Sequence, residues 1–383
     1  MFNISKIFFC LSLFILLFGH HGVHAQTNLK VKFENSVVYA GIDIGAKGVK
    51  LSILEIGKNA LKNGAFNVLK DTSVNTDFIS FTQATYQATL NGLSKLYNAA
   101  LNDYKIPAEH IFTVISSGVK IQADKEDKAE WVNQFINAFK TAINEPNRKV
   151  SVIDVKEEAR LSHLGIVPDS RRYTTFLIDI GSGNTKGGYF PNGNTKELKL
   201  FQLSWGTKST TNAALKRIEE DKSITNYKKQ LDRVLIGAEN SEIIYAVNES
   251  GSYPMSDNIA ISGGIAWSLA TLVYPELIDN SVVPVNFDDL VKFNERAYSD
   301  YASLSDSAIL STITDNTLNK NAIANEIKKI NKVFDQRAIM AGTGLLLKIM
   351  RQFEGVYEKK QFFLVKNGQV GWISAYVDNQ VSR

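Results

Sequence analysis

The chain has 383 residues, of which 44% are hydrophobic, and its 43 Lys and Arg against 39 Asp and Glu give a formal charge of +4. It holds one cysteine, Cys10, and five histidines. Cys10 and three of the histidines, His20, His21 and His24, lie in the first 25 residues, so disulfides and a Cys/His zinc cluster are excluded from the chain that follows, and the near balance of charge gives no nucleic-acid signature.

The first residues, "MFNISKIFFCLSLFILLFGHHGVHAQ", combine Lys6, an unbroken apolar core from Ile7 to Phe18, and small residues at Val23 and Ala25. This is the pattern of a secretory signal peptide. The apolar core falls short of the roughly 20 residues that span a bilayer as a helix, so cleavage near Ala25 is expected and no stable membrane anchor. Export to the periplasm or the extracellular space follows. Cleavage removes Lys6, Cys10, His20, His21 and His24, leaving 358 residues (383 minus 25) with a charge of +3 (4 minus 1). No thiolate nucleophile then remains. A Ser-His-Asp triad would need His110 or His163, and His163 in "EARLSHLGIV" reads as a polar position on a helix.

The mature length predicts two domains. "VVYAGIDIG" reads as a buried strand and "VKLSILEIG" as its hairpin partner. A helix is predicted in "FTQATYQATLNGLSKLYNAALNDY", then a strand in "IPAEHIFTVISSGV" bounded by Pro107 and Gly118. "DKAEWVNQFINAFKTAIN" is a second helix, ending before Pro146. The middle repeats the plan, with strand "KVSVIDV", helix "KEEARLSHLGIV" and strand-turn-strand "TTFLIDIGSGNTKGGYF". "NIAISGGIAWSLATLVYP" gives a strand, a Gly-Gly turn and a helix, between helices in "YKKQLDRVLIGAENSE" and "DQRAIMAGTGLLLKIMRQF". Two similar halves of mixed strands and helices define an α/β class with a duplicated unit.

The duplicated motif is "YAGIDIGAKGVKLSIL" and "FLIDIGSGNTKGGYF", a strand, Asp-Ile-Gly, and a lysine seven positions after the aspartate. A glycine after Asp-Ile lets the backbone approach a ligand and turn successive N–H groups into one concavity that holds phosphate. The aspartate at its mouth can hold Mg2+ against the phosphate oxygens. The plainer alternative is a tight hairpin whose acid satisfies backbone donors. A third turn at Gly263 and Gly264 favours phosphate binding. Glu157 and Glu158 at a helix start likewise admit two readings, acids that complement the helix dipole or one carboxylate facing a cleft.

These residues resemble the actin-like ATPase superfamily, two RNase H-like lobes around an interdomain cleft. More specifically the chain is similar to the exopolyphosphatase and guanosine pentaphosphate phosphohydrolase family. The segments that carry the resemblance are "AGIDIGAKGVKLSI", "VISSGVK", "VIDVKEEARLSHLGIV", "FLIDIGSGNTK", "QLSWGTKSTT", "ISGGIAWSLA" and "RAIMAGTGLLLKIM", in that order. Lobe I is expected over 36–154, rejoined by about 362–383, and lobe II over 155–361. The resemblance implies that Glu158 is the general base activating water, that Asp43 and Asp179 hold Mg2+, and that Gly45, Gly181, Gly183, Gly263 and Gly264 line the phosphate site.

The departures are local. Where the family's second turn reads Asp-Ile-Gly-Gly-Gly-Ser-Thr-Glu, this chain has Asp179-Ile180-Gly181-Ser182-Gly183-Asn184-Thr185-Lys186. A serine has become Asn184 and a carboxylate Lys186, a charge inversion that sets a cation where metal would be held. The first turn has Ala46-Lys47-Gly48 in place of Ser-Asn-Ser, and "SSGVK" ends in Lys120 where an arginine is usual. Lys47, Lys120, Lys186 and Lys208 are expected to form a cationic phosphate site less dependent on metal.

Three functions follow. The first is an exported phosphohydrolase cleaving inorganic polyphosphate or another phosphoanhydride by Glu158-activated water. The second is a non-catalytic phosphate or polyphosphate-binding protein on the same fold. The third, an ATP-dependent kinase or filament-forming ATPase, is weakened by export and by the Glu-Glu-Ala-Arg segment. No nucleic-acid partner is expected, and a homodimer is compatible with each.

Overall fold

Each Asp-Ile-Gly run builds a hairpin, because its strand is apolar on both faces and the glycine turn reverses the chain within a few residues. In this computed structural model, residues 29–63, 65–251, 256–354, 360–366 and 368–382 are described, so the segment 1–25 expected to be a signal peptide lies outside the described residues. Strand β1 (Val37–Ile44) pairs antiparallel with β2 (Gly48–Ile56), and β2 with β3 (Phe66–Asn75). On the other side of β1 lie β4 (Ile111–Ile115) and β5 (Val150–Val152), both parallel. The sheet order is β3-β2-β1-β4-β5.

The second sheet repeats this plan with β6 (Thr175–Ile180), β7 (Thr185–Tyr189), β8 (Lys199–Leu203) and β9 (Asn258–Ser262). Beyond β9 come β11 (Gln361–Val365), parallel, and β10 (Val282–Val285), antiparallel at the edge. Its order is β10-β11-β9-β6-β7-β8. Reading β8-β7-β6-β9-β11 against β3-β2-β1-β4-β5 gives the same sequence of two antiparallel and two parallel pairings. Every residue of β6 and β7 is buried, as expected for strands covered on both faces.

The helices Val155–Ile166 and Gly368–Val381 pack on each other, the latter also on β1 and β2 and the former on β7. One apolar cluster runs between them, joining Tyr39 and Leu54 of the first sheet to Phe190, just after β7 of the second, through Leu164, Trp372 and Val377. Backbones meet closely there, since a Cβ on Gly165 would stand 2.0 Å from the Gly371 carbonyl oxygen.

Three expectations are corrected. The chain from residue 362 was assigned wholly to the first lobe, but β11 pairs in the second sheet, and only the following helix reaches the first. The strand before Gly118 ends at Ile115, and a helix, Ser117–Lys125, begins inside "SSGVK". His163 is not on a polar face: it is fully buried, 4.6 Å from the Phe190 ring, with Nε2 3.1 Å from the Thr175 carbonyl oxygen.

Candidate functional site

Two carboxylates and one ammonium meet where the hairpins face each other. Asp179 lies near the end of β6, and the turn brings Lys186 of β7 directly opposite it in register. Lys186 Nζ lies 2.9 Å from Asp179 Oδ2 and 2.9 Å from Glu158 Oε1. All three residues are buried, Glu158 to 1% exposure. Burial disfavours the Lys186 charge, but the carboxylates of Asp179 and then Glu158 outweigh it and hold the ammonium above the usual lysine range.

Glu158 arrives in the first turn of helix Val155–Ile166, where Asp154 is the N-cap and accepts from the Glu157 N–H at 2.9 Å. Successive helix residues project about 100° apart. Glu157 therefore turns outward to Arg160, 2.7 Å away, while Glu158 turns inward. Its Oε2 accepts from the Ser117 N–H at 2.6 Å, at the open end of helix Ser117–Lys125. Asp179 Oδ1 accepts from Ser262 Oγ at 2.9 Å, which joins the strand before the third glycine turn to the same cluster.

Asp43 is the first hairpin's counterpart of Asp179, and Lys50 stands opposite it as Lys186 does in the second. Asp43 Oδ1 is shielded from solvent without a hydrogen-bond partner. Desolvation first, then the charge of Glu158, push its carboxyl up to about 7. Lys50 lies 3.3 Å from Asp71 of β3.

The second turn is held from within and from the first lobe. Gly181 N–H donates to the Asn184 carbonyl oxygen at 3.0 Å, and Lys208 N–H to that of Ser182 at 2.8 Å. Asn184 Nδ2 donates to Ser117 Oγ at 3.2 Å, and Gln122 Nε2 to the Gly183 carbonyl oxygen at 2.8 Å. A Cβ on Gly183 would stand 2.8 Å from the Gly118 carbonyl oxygen, so that glycine serves the approach of one lobe to the other. Gly263 has φ 96°, and a Cβ there would meet the Ile180 carbonyl oxygen at 2.1 Å. Gly45 differs, because its nearest neighbour would be 3.6 Å away and its free side opens on the cleft.

The cleft so formed has a volume of about 580 Å³ and is bounded by all three glycine turns. No family model and no curated protein matches this chain. Solved structures do. The Aquifex aeolicus member of the Ppx/GppA family is 16% identical with a TM-score of 0.58, over 91% of this chain and 98% of that one. An exopolyphosphatase-like protein gives 15% identity and a TM-score of 0.60 over 91% of this chain and 100% of its own. An exopolyphosphatase from Cytophaga hutchinsonii gives 14% and 0.53, over 90% and 98%. The chain has the two-lobed Ppx/GppA fold.

Within this Ppx/GppA fold, the cleft gathers Asp43, Glu158 and Asp179, the glycines 45, 181, 183, 263 and 264, and Asn184, Lys47 and Lys186. Lys120 and Lys208 are not among its lining residues. Lys120 projects outward from the helix that begins at Ser117 and pairs with Asp124 at 2.7 Å. Lys208 spans the lobes to Asp77, 3.3 Å away. Lys47 Nζ donates to the Val333 carbonyl oxygen and lies 4.7 Å from the centre of the Phe334 ring, and burial holds it below the ordinary lysine range. Sequence reasoning missed Lys50, Ser117, Gln122 and Ser262. The repeated seven-residue spacing from aspartate to lysine was the signal for Lys50. Lys329 and Lys332 also line the cleft, from helix Lys320–Val333, and no motif marked them.

The expected Mg2+ does not fit these residues. The space between Glu158 and Asp179, where a divalent ion would draw on both carboxylates, holds the Lys186 ammonium, and the second oxygen of each carboxylate already accepts a protein donor. Among the described residues, no group of three or more His, Cys, Asp or Glu is arranged to hold a metal ion. Among them, too, no helix is long and apolar enough to cross a membrane.

Proposed function

We propose that the cleft binds the phosphoanhydride chain of inorganic polyphosphate or a related polyphosphate, and that binding rather than rapid hydrolysis is the protein's activity. The observation that carries this reading is the convergence of three glycine turns on one cleft lined by Lys47, Lys50, Lys186, Lys329 and Lys332, with Asp43, Asp71, Glu158, Asp179 and Glu326 beside them. A linear polyanion needs repeated cationic contacts along its length, which lysines at separate points of a groove provide without base or sugar recognition. The solved relatives include proteins described as exopolyphosphatases, which agrees with this ligand class. Together with the N-terminal segment read as a signal peptide, it favours exported polyphosphate over a cytosolic nucleotide.

The second reading, hydrolysis by Glu158-activated water, draws on the burial of Glu158 in the cleft beside the second turn. In-line attack needs a carboxylate that can take a proton from water. Against speed stands the engagement of both Glu158 oxygens, one by Ser117 N–H and one by Lys186.

The experiment measures polyphosphate binding by calorimetry and orthophosphate release in parallel, with and without Mg2+, on the purified chain and on Glu158→Gln. Saturable binding without release above the buffer rate supports the binding reading. Release abolished by Glu158→Gln replaces it with the hydrolase reading, and no binding in either metal condition sinks both.

A further inference from the structure

The ammonium at the centre of the cleft has a role that neither reading above contains. We propose that Lys186 is the resident cation of this site, a covalently tethered replacement for a divalent metal ion, so that the cleft takes its polyphosphate ligand free of metal. The inference rests on the polyphosphate reading for the ligand alone; the exclusion of metal stands on the geometry.

Four observations support it. First, one nitrogen stands 2.9 Å from an oxygen of each of two buried carboxylates. Two neighbouring carboxylates in a low-dielectric site repel each other unless a cation lies between them. Second, the cation is delivered by strand register: Lys186 lies opposite Asp179 on the antiparallel partner strand, so it cannot diffuse away as an ion can. Third, the carboxylates are saturated, with Glu158 Oε2 on Ser117 N–H and Asp179 Oδ1 on Ser262 Oγ. Mg2+ demands near-octahedral oxygen ligation at about 2.0–2.1 Å, and of the three carboxylates Asp43, Glu158 and Asp179 only Asp43 keeps an oxygen without a protein partner. Fourth, a divalent ion would have to sit within a few Å of a buried ammonium, a repulsion that a low-dielectric interior leaves largely unscreened.

The first hairpin gives the contrast that makes the arrangement specific. Its lysine, Lys50, stands at the equivalent register position but lies 3.3 Å from Asp71 of the neighbouring strand. Asp43, across from it, has a shielded oxygen without a partner. The duplicated motif therefore supplies an aspartate and a lysine in both halves, and the second half places its ammonium on the carboxylate borne by helix Val155–Ile166.

Mn2+ serves as the probe, read by calorimetry and by the shift in melting temperature, with no polyphosphate present. The wild-type chain is expected to show no saturable Mn2+ binding and no shift. Lys186→Glu removes the tethered charge and adds an oxygen donor, and it is expected to gain a saturable Mn2+ site with a raised melting temperature. Lys186→Gln is the second variant, for the case in which three unpaired carboxylates prevent folding. In a further arm, wild-type polyphosphate affinity is compared in EDTA and in excess Mg2+, and a change of less than about twofold is expected. Stoichiometric Mn2+ binding by the wild type overturns the proposal, as does a tenfold loss of polyphosphate affinity in EDTA. Absence of any polyphosphate binding overturns the functional reading alone, because the Mn2+ titration is decided without that ligand.

Discussion

His163, fully buried, and Asp43, half-buried with Oδ1 shielded, are two titratable groups whose desolvation acts on stability in opposite directions. Burial, as the largest cause, lowers His163 to about 4. Its unfolded value is the ordinary one near 6.5, so the unfolded chain binds more protons between those values, and the stability present above about 6.5 is lost as pH falls toward 4. The difference is worth about 3 kcal/mol at most. Asp43, pushed up to about 7, binds its proton more tightly when folded, so stability declines as pH rises from near 4 through 7. In the intact chain the two slopes offset each other. His163→Phe is expected to leave a protein that weakens as pH rises from 4.5 to 7, while Asp43→Asn leaves one that weakens on acidification. Denaturant melts across that range decide it, and parallel slopes in both variants would dismiss the assignment. The protonation states follow from contacts made in the fold, which is why "EARLSHLGIV" reads as a polar helix position for the histidine: helical periodicity gives a face but not the element that will cover it.

At the scale of elements, the hairpins were readable because apolar runs, Asp-Ile-Gly and short turns coincide in both halves. So were helices Gln83–Asn98 and Ala129–Ala142, whose apolar positions repeat at helical spacing. The edge strands were not. Strand β3 is mostly exposed and shows no period of two, and β10 is four residues, Val-Val-Pro-Val, whose sequence does not alternate although its burial does. Lys120 was misread with its element, since a strand through Gly118 aims it differently from the first turn of a helix. The third turn is the most demanding piece of backbone. Gly263→Ala would force a side chain into φ 96° against the Ile180 carbonyl oxygen, and at least about 1–3 kcal/mol of destabilisation is expected from the conformation alone. A melting transition unchanged from wild type would remove strain from the account.

Across the whole molecule, the two-lobed plan was legible because the duplication is written twice in the chain, and solved structures at 14–16% identity share it. What holds the cleft's shape was not legible. Lys47 to Val333 and Phe334, Asn75 to Lys332 at 3.4 Å, and Lys208 to Asp77 at 3.3 Å all tie elements with no local sequence relation. Lys47→Ala removes a half-buried hydrogen bond and a cation–π contact, together worth about 1–3 kcal/mol of closure. A larger radius of gyration by small-angle scattering is the expected outcome; an unchanged radius would place closure elsewhere.

The Lys47 to Val333 contact joins residues 286 positions apart. Loop closure of that length is unfavourable until both sheets have formed, and pairings of high sequence separation are slow to arrive. The cleft is therefore expected to mature after the sheets as the protein refolds. Recovery of helical signal after dilution from denaturant should precede recovery of ligand binding, so that an early refolding sample has its secondary structure and lacks its site.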